Sequence, residues 1–281
     1  NDHVKLYGVV PDVLKRPMER VEYTTGTEDG MLEQMEEHIP YLEQVYFAGG
    51  EPLIMKEHYY LLEKLIEYGK TDVRIQYNTN FSELRYKDKH VFEYWKHFKN
   101  ISVGASLDAM GKHAEYIRKG TDWAIVEQNR IKMLEVCPGV DFYISPTLSI
   151  LNAMHLPDFH REWVDRGFIR AQDLNVNILQ DPVHYRIDIA PAEYKEKIHK
   201  KFLDHLDWVR PQDPLQRATV GFESAVNFML ATDNSKLIEK FWNKNTKTIN
   251  SKFLNDLVNK NYLDLSCQIT DESEGYLDRY K

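Results

Sequence analysis

The chain has 281 residues, 42% hydrophobic and 12% aromatic, which is enough to fill a sizeable core and too apolar for a disordered protein. Its formal charge of −8, from 36 basic and 44 acidic residues, argues against a nucleic-acid scaffold and suits a soluble, cytoplasmic protein. No apolar run is long enough to cross a membrane and nothing at the N-terminus looks like a signal peptide, so no membrane association is expected.

Residues 1–30 lack a clear strand and read as a leading segment. Because the chain starts at Asn1 rather than Met, it is expected to be part of a longer protein. From 31 to 210 short apolar runs alternate with amphipathic segments. A helix is expected at 31–44, a strand at 45–49, and a helix at 57–68 with Tyr59, Leu62, Leu65 and Ile66 on one stripe and Gly69 as its stop. Then follow a strand at 73–79, a helix at 90–98, a strand at 101–107 and a helix at 123–136 stopped by Pro138. A strand at 140–148, a helix at 156–166 ended by Gly167, a strand at 173–179 and a long helix at 192–209 complete the series. Pro211 and Pro214 mark a boundary, beyond which 211–281 reads as a helical C-terminal extension with helices at 220–231, 237–241 and 251–258.

Strands separated by helical crossovers argue for a parallel α/β sheet. A parallel strand covered on both faces reads as continuous hydrophobicity, whereas here one parity turns polar toward the C-terminal strand ends. The residues concerned are Gln76, Asn78 and Asn80, then Ser106 and Asp108, then Ser145, Thr147 and Ser149, then Asn175 and Asn177. Alternate residues share a face, so one face of the sheet lines a polar chamber. That favours a curved, partial barrel over a flat doubly wound sheet.

The most informative stretch is Tyr46-Phe47-Ala48-Gly49-Gly50-Glu51-Pro52-Leu53. Two glycines after an apolar run leave backbone atoms uncovered for a ligand, Pro52 makes the turn rigid, and Glu51 adds a carboxylate. Glycine and proline also punctuate any strand-to-helix turn. The whole string is narrower: Gly49-Gly50-Glu51-Pro52 resembles the motif with which radical S-adenosylmethionine (SAM) enzymes hold the methionyl amino group of SAM.

Further stretches fit that resemblance, over roughly residues 31–210. Asn78-Thr79-Asn80 lies where relatives often carry a Thr-Asn-Gly-like turn, here without the glycine. Ser106-Leu107-Asp108-Ala109 looks like the family's Ser-Leu-Asp-Gly, with alanine for glycine, and in that family the serine and acid lie near the ribose and methionyl moiety. Arg118 matches an arginine that often pairs with the SAM carboxylate. Ser145 and Thr147 stand where a fifth-strand motif contacts the nucleoside, although Pro146 loosens the match. Asn177-Ile178-Leu179 resembles the segment flanking adenine. The chemistry agrees, since Glu51 and bare carbonyls suit an ammonium, Arg118 offers a fork to a carboxylate, and Ser106 and Asp108 can bind a diol. Each residue also has a purely structural reading. Asp108 can cap a following helix, Arg118 can be a surface charge, and the asparagines can make turn bonds.

The resemblance implies a partial (β/α)6 TIM-like barrel, its first strand missing from this sequence, from the SPASM/Twitch-bearing subgroup. It implies reductive cleavage of SAM to a 5′-deoxyadenosyl radical, an external electron donor such as flavodoxin or ferredoxin, and hydrogen abstraction from a peptide or small-molecule substrate. It also implies a [4Fe–4S] cluster held by a CxxxCxxC loop. The sequence has only Cys137 and Cys267, neither in such a motif, so the cluster ligands are expected upstream of Asn1 and the chain as given is expected to be inactive. His155 and His160, and His199 and His205, lack the i,i+4 spacing of a helical metal pair and read as solvated or packing residues. Two rivals stand beside this reading. One is a non-catalytic SAM-binding relative that lacks the cluster, and the other is an unrelated (β/α) hydrolase or isomerase using Glu51 and Asp108 as acid and base.

Overall fold

The computed structural model describes residues 35–231 and 234. Its centre is a parallel sheet of four strands in chain order: β1 (Gln44–Phe47), β2 (Arg74–Thr79), β5 (Asn100–Ala105) and β6 (Asp141–Ile144). A hairpin of β3 (Arg85–Tyr86) and β4 (Lys89–His90) interrupts the crossover from β2 to β5. Beyond β6, β7 (Thr147–Leu148) pairs in parallel with β8 (Asn177–Ile178).

The crossovers carry α1 (Lys56–Glu67), α2 (Val91–Trp95), α3 (Gly111–Ile117), α4 (Trp123–Val136) and α5 (Leu156–Asp165); α6 (Ala192–Val209) and α7 (Arg217–Ala231) follow β8. Local chemistry fixes their ends. Gly69, at φ +69°, terminates α1 with Lys70 N–H donating to the Leu65 carbonyl at 2.8 Å. The Asp122 carboxylate caps α4 by accepting from Ala124 N–H at 3.0 Å.

Alternation along the strands separates two faces. Ile75, Tyr77 and Thr79 on β2, Ile101, Val103 and Ala105 on β5, and Phe142 and Ile144 on β6 are buried. On this face the Tyr77 ring stacks on Phe47 at 5.1 Å and meets His58 of α1 and Trp95 of α2. Arg130 of α4 lies over Phe142, 4.2 Å from the ring centre. The opposite parity is polar, as expected. Register aligns Tyr46, Gln76, Ser102 and Asp141 in one row, and Asn78, Gly104 and Tyr143 in the next. An added Cβ at Gly104 would come within 2.8 Å of the Tyr143 hydroxyl and 3.1 Å of Asn78 Oδ1, so the missing side chain lets both neighbours lie down across β5.

Several expected elements change. The helix expected over 31–44 does not reach Gln44, because Pro40 opens a 3₁₀ turn (Ile39–Tyr41) and Gln44 already belongs to β1. Residues 31–34 lie outside the described residues. The strand expected over 45–49 ends at Phe47, since Gly49 and Gly50 take φ of +84° and +56°. The helix at 90–98 shortens to α2, and the hairpin and α3 have no counterpart in the sequence pattern.

The strands expected over 140–148 and 173–179 run side by side but break, and Pro146 is the cause. Ile144 N–H donates to Asp173 O and Asn175 N–H to Ile144 O; Asn177 N–H donates to Pro146 O and Leu179 N–H to Leu148 O. The rung between these pairs needs an N–H at 146, which proline lacks. The helix expected over 220–231 is α7, whose Phe222 packs on Phe202 of α6 at 5.0 Å. The helices expected at 237–241 and 251–258 lie outside the described residues. No described helix is long and apolar enough to cross a membrane.

Candidate functional site

The C-terminal edge of the sheet is stitched by side chains whose partners lie on neighbouring strands. After β1 the chain turns through Gly49 and Gly50 in left-handed conformations, with nothing within 4 Å of where a Cβ would stand at either. Glycine is required there by conformation, not by crowding. Pro52 then starts a 3₁₀ turn (Pro52–Ile54) in which Pro52 and Leu53 are buried and Ile54 is exposed. The Glu51 carboxylate faces β2: Oε1 accepts from Thr79 Oγ1 at 2.7 Å and from Leu53 N–H at 3.4 Å, and Oε2 accepts from Asn80 N–H at 2.8 Å. It therefore clamps the turn to the end of β2.

That end of β2 is itself braced. Asn78 Nδ2 donates to the Tyr46 hydroxyl at 2.6 Å, Asn80 Oδ1 accepts from Ser82 N–H at 2.9 Å, and Asn129 Nδ2 of α4 donates to the Phe81 and Ser82 carbonyls. Ser106 N–H donates to the Thr79 carbonyl at 2.8 Å and carries the edge to β5. The Ser106 hydroxyl makes no hydrogen bond with a described residue.

Asp108 is buried, and both of its carboxylate oxygens are engaged. Oδ2 accepts from Arg118 Nε at 2.7 Å and Oδ1 from Thr147 N–H at 2.7 Å. It caps no helix, because α3 starts after Met110 without a side-chain cap. The Arg118 side chain, 34% exposed, is held at Nε, while Nη1 and Nη2 bond to no described residue. A guanidinium fixed at one nitrogen with its outer fork open is set up to receive a carboxylate or phosphate.

On the far side, Ser145 N–H donates to Ala105 O at 2.8 Å and Ser145 Oγ accepts from Asn177 Nδ2 at 2.9 Å. Leu179 continues the line through its N–H to Leu148 O. Behind the edge, the fully buried Asn152 donates to the carbonyls of Asp108 at 2.8 Å and Thr147 at 3.0 Å, and its Oδ1 accepts from Ser149 N–H at 2.8 Å and Ser149 Oγ at 3.3 Å. His155 Nε2 accepts from Met110 N–H, and the His113 ring lies 4.6 Å from His155. Burial pushes both imidazoles down to about 4.

Glu51, Ser106, Asp108, Arg118, Ser145, Thr147 and Asn177 thus stand along one strand-end edge, linked by the bonds above, with Gly49, Gly50 and Pro52 at one end and Leu179 at the other. Asn78 sits one row lower, facing Tyr46. Sequence reading missed Thr79, Asn129 and Asn152, which hold the edge from below. Asn152 carries one usable signal: an asparagine three residues after Ser149, in a loop between strand and helix, is a side chain suited to bonding backbone. Among the described residues no group of three or more His, Cys, Asp or Glu side chains is arranged to hold a metal ion. His155 and His160 are packing residues, as expected; His205 is likewise enclosed, bonded to His160 at 2.9 Å.

No protein-family model matches this chain, and no curated protein matches it in sequence. Among solved structures it is similar to a hexahistidine-tagged anSMEcpe with bound AdoMet, at 19% identity over 64% of this chain and 51% of that one, with a TM-score of 0.47. It is also similar to native anSMEcpe with bound AdoMet and a peptide, at 17% identity over 67% of this chain and 55% of that one, again at 0.47. The chain spans about half the length of these structures.

Proposed function

We propose that the strand-end edge binds SAM in the manner of the radical SAM superfamily, on a partial (β/α)6 barrel of the SPASM/Twitch-bearing subgroup. The observation carrying this reading is the Arg118 fork, braced by Asp108 and left open, on the same edge as the Gly49–Gly50 turn. In this reading the fork takes the methionyl carboxylate, and the uncovered carbonyls of the glycine turn take the ammonium. Ser106 binds the ribose diol with its hydroxyl, and Asn177 and Leu179 line the adenine. The roles of Glu51 and Asp108 shift with their geometry. Both act chiefly as anchors, since their oxygens already accept from the chain itself. That commitment also weighs against the hydrolase or isomerase alternative, which needs both carboxylates available for proton transfer.

The side chains described do not fit an iron–sulfur cluster. Cys137 is buried against the Phe92 carbonyl, Cys267 lies outside the described residues, and the 281 residues contain no CxxxCxxC. No step is therefore routed through a cluster. In the catalytic form of the proposal, with a cluster held by residues outside those described, one electron from a donor such as flavodoxin or ferredoxin would cleave bound SAM into methionine and a 5′-deoxyadenosyl radical, which would take a hydrogen atom from a peptide or small molecule. The second reading is a SAM-binding relative without that chemistry. A CxxxCxxC encoded upstream of Asn1 selects the first, and its absence from the gene selects the second.

Binding is tested by calorimetry of SAM with the full-length protein. Arg118→Ala is expected to weaken affinity by roughly 10- to 150-fold, the worth of ~1.5–3 kcal/mol for a charge-assisted bond. Affinity within twofold of the parent would remove Arg118 from the site and the reading with it.

A further inference from the structure

We propose that Asn152 is a positioning residue of the strand-end site, holding Asp108 and Thr147 in one register so that Asp108 aims the Arg118 fork outward. The inference rests on the SAM-site reading for its ligand but on the geometry of this chain for its mechanism. Asp108 can grip Arg118 only if its carboxylate stays between Arg118 Nε and Thr147 N–H, which it bonds at 2.7 Å each. Asp108 and Thr147 belong to different segments, one following β5 and one opening β7.

The sheet ladder ties these segments together no further than the bond from Ser145 N–H to Ala105 O at 2.8 Å. Paired register between β5 and β6 ends at Ala105 and Ile144; beyond Ser145 the next N–H facing β5, that of Thr147, goes to the Asp108 carboxylate, and Leu107 N–H turns back to Ala105 O. Asn152 fills the gap from below. Its amide donates one hydrogen to Asp108 O and one to Thr147 O, so a single planar group sets the distance between the two backbones. Its oxygen is held in turn by Ser149 N–H and Ser149 Oγ, and the Ser149 hydroxyl also accepts from Leu151 N–H at 3.2 Å. Every hydrogen-bonding position of this amide is used, and the residue is fully buried. Only Asn and Gln offer two donors and an acceptor on one plane, and Gln carries an extra methylene into a filled site.

The experiment uses the full-length protein with Asn152→Asp, Asn152→Ala and the milder Ser149→Ala, beside Phe222→Leu as a remote variant chosen to lower the melting temperature comparably. Three quantities are read: SAM affinity, amide exchange at Thr147, and the Arg118 Nε–H resonance. Asn152→Asp keeps the acceptor but loses both donors and sets a carboxylate against two carbonyls. It is expected to raise Thr147 exchange at least tenfold, shift the Arg118 signal and weaken SAM about tenfold. Asn152→Ala should act in the same direction, Ser149→Ala less strongly, and Phe222→Leu should leave all three near the parent values. Thr147 exchange and the Arg118 signal unmoved in the Asn152 and Ser149 variants, or affinity falling no further than in Phe222→Leu, would overturn the proposal. A parent protein without SAM affinity would refute the SAM reading instead, while the exchange and resonance data would still decide the role of Asn152.

Discussion

Two histidines, His160 and His205, expected to be solvated or packing residues, form a proton-ordered chain at the junction of α5, α6 and α7. The Ala171 carbonyl can only accept, so His160 Nε2 carries the hydrogen in that 3.0 Å bond. His160 Nδ1 must then accept, and His205 Nε2 donates to it at 2.9 Å; His205 Nδ1 in turn receives Arg161 Nε–H at 3.3 Å. Both rings are neutral in this arrangement. Burial pushes the His160 pKa down to about 4, against the opposing pull of the Ala171 hydrogen bond, Asp213 and Asp173, and His205 is lowered by burial and by His160, Arg161 and Lys201 around it. An unfolded histidine titrates near 6.5, so between about pH 6.5 and 4 the unfolded chain binds more protons than the folded one. Stability is therefore complete above pH 6.5 and lost as pH falls, by on the order of 3 kcal/mol for a single imidazole shifted this far. His58, His113 and His155 are lowered by burial as well and add to the same slope. In urea denaturation at pH 4.5–6, His160→Gln is expected to reduce the pH slope of the unfolding free energy by about one proton. A slope equal to the parent's would mean that His160 is not neutral in the fold.

At the scale of elements, two glycines look alike in sequence and differ in what surrounds them. A Cβ at Gly104 meets the tip of Tyr143, its hydroxyl and Cζ at 2.8 and 2.9 Å, and a half-buried phenol can swing aside. A Cβ at Gly221, inside α7, meets Val176 Cβ at 2.9 Å and Cγ2 at 3.0 Å, atoms tied closely to the backbone beside β8. Helix propensity alone favours Gly221→Ala by about 1 kcal/mol, but overpacking of this kind costs ~1–3 kcal/mol and is expected to prevail. Thermal melts should therefore find Gly221→Ala destabilised and Gly104→Ala closer to neutral, with Val176→Ala recovering little of the loss in the first, because the Cβ met at 2.9 Å remains. A stabilised Gly221→Ala would mean that α7 sits further from β8 than the structure has it. Sequence pattern alone could not separate these glycines, because the contact at 221 joins segments far apart along the chain. The same limit applies to the strands. Sequence reading placed α4, stopped before Pro138, and α6 to the residue, whereas the rung lost at Pro146 depends on which partner faces it.

Across the molecule, motif residues are legible wherever the backbone needs a special residue or a strand end needs a polar one. Gly49-Gly50, Asn78, Ser106 and Asp108 all fall into those classes. What sequence alone does not supply is the direction of each side chain. Glu51 and Asp108 read as ligand groups in the sequence, yet their hydrogen bonds run sideways along the sheet edge, binding the β1 turn to β2 and the β5 loop to β7. The edge is thus one connected structure, and a ligand gripping it at both ends would resist unfolding of the whole sheet. If SAM binds the folded edge and not the unfolded chain, a concentration 100 times its dissociation constant stabilises the protein by about 2.7 kcal/mol. For a domain of this size that corresponds to a rise of several degrees in melting temperature. The shift should grow with the logarithm of SAM concentration and shrink in Arg118→Ala at equal concentration. Adenosine, which lacks the amino-acid end, should produce a smaller shift that Arg118→Ala leaves unchanged. A shift equal for SAM and adenosine in the parent would locate all recognition at the nucleoside end and leave the braced arginine without a ligand.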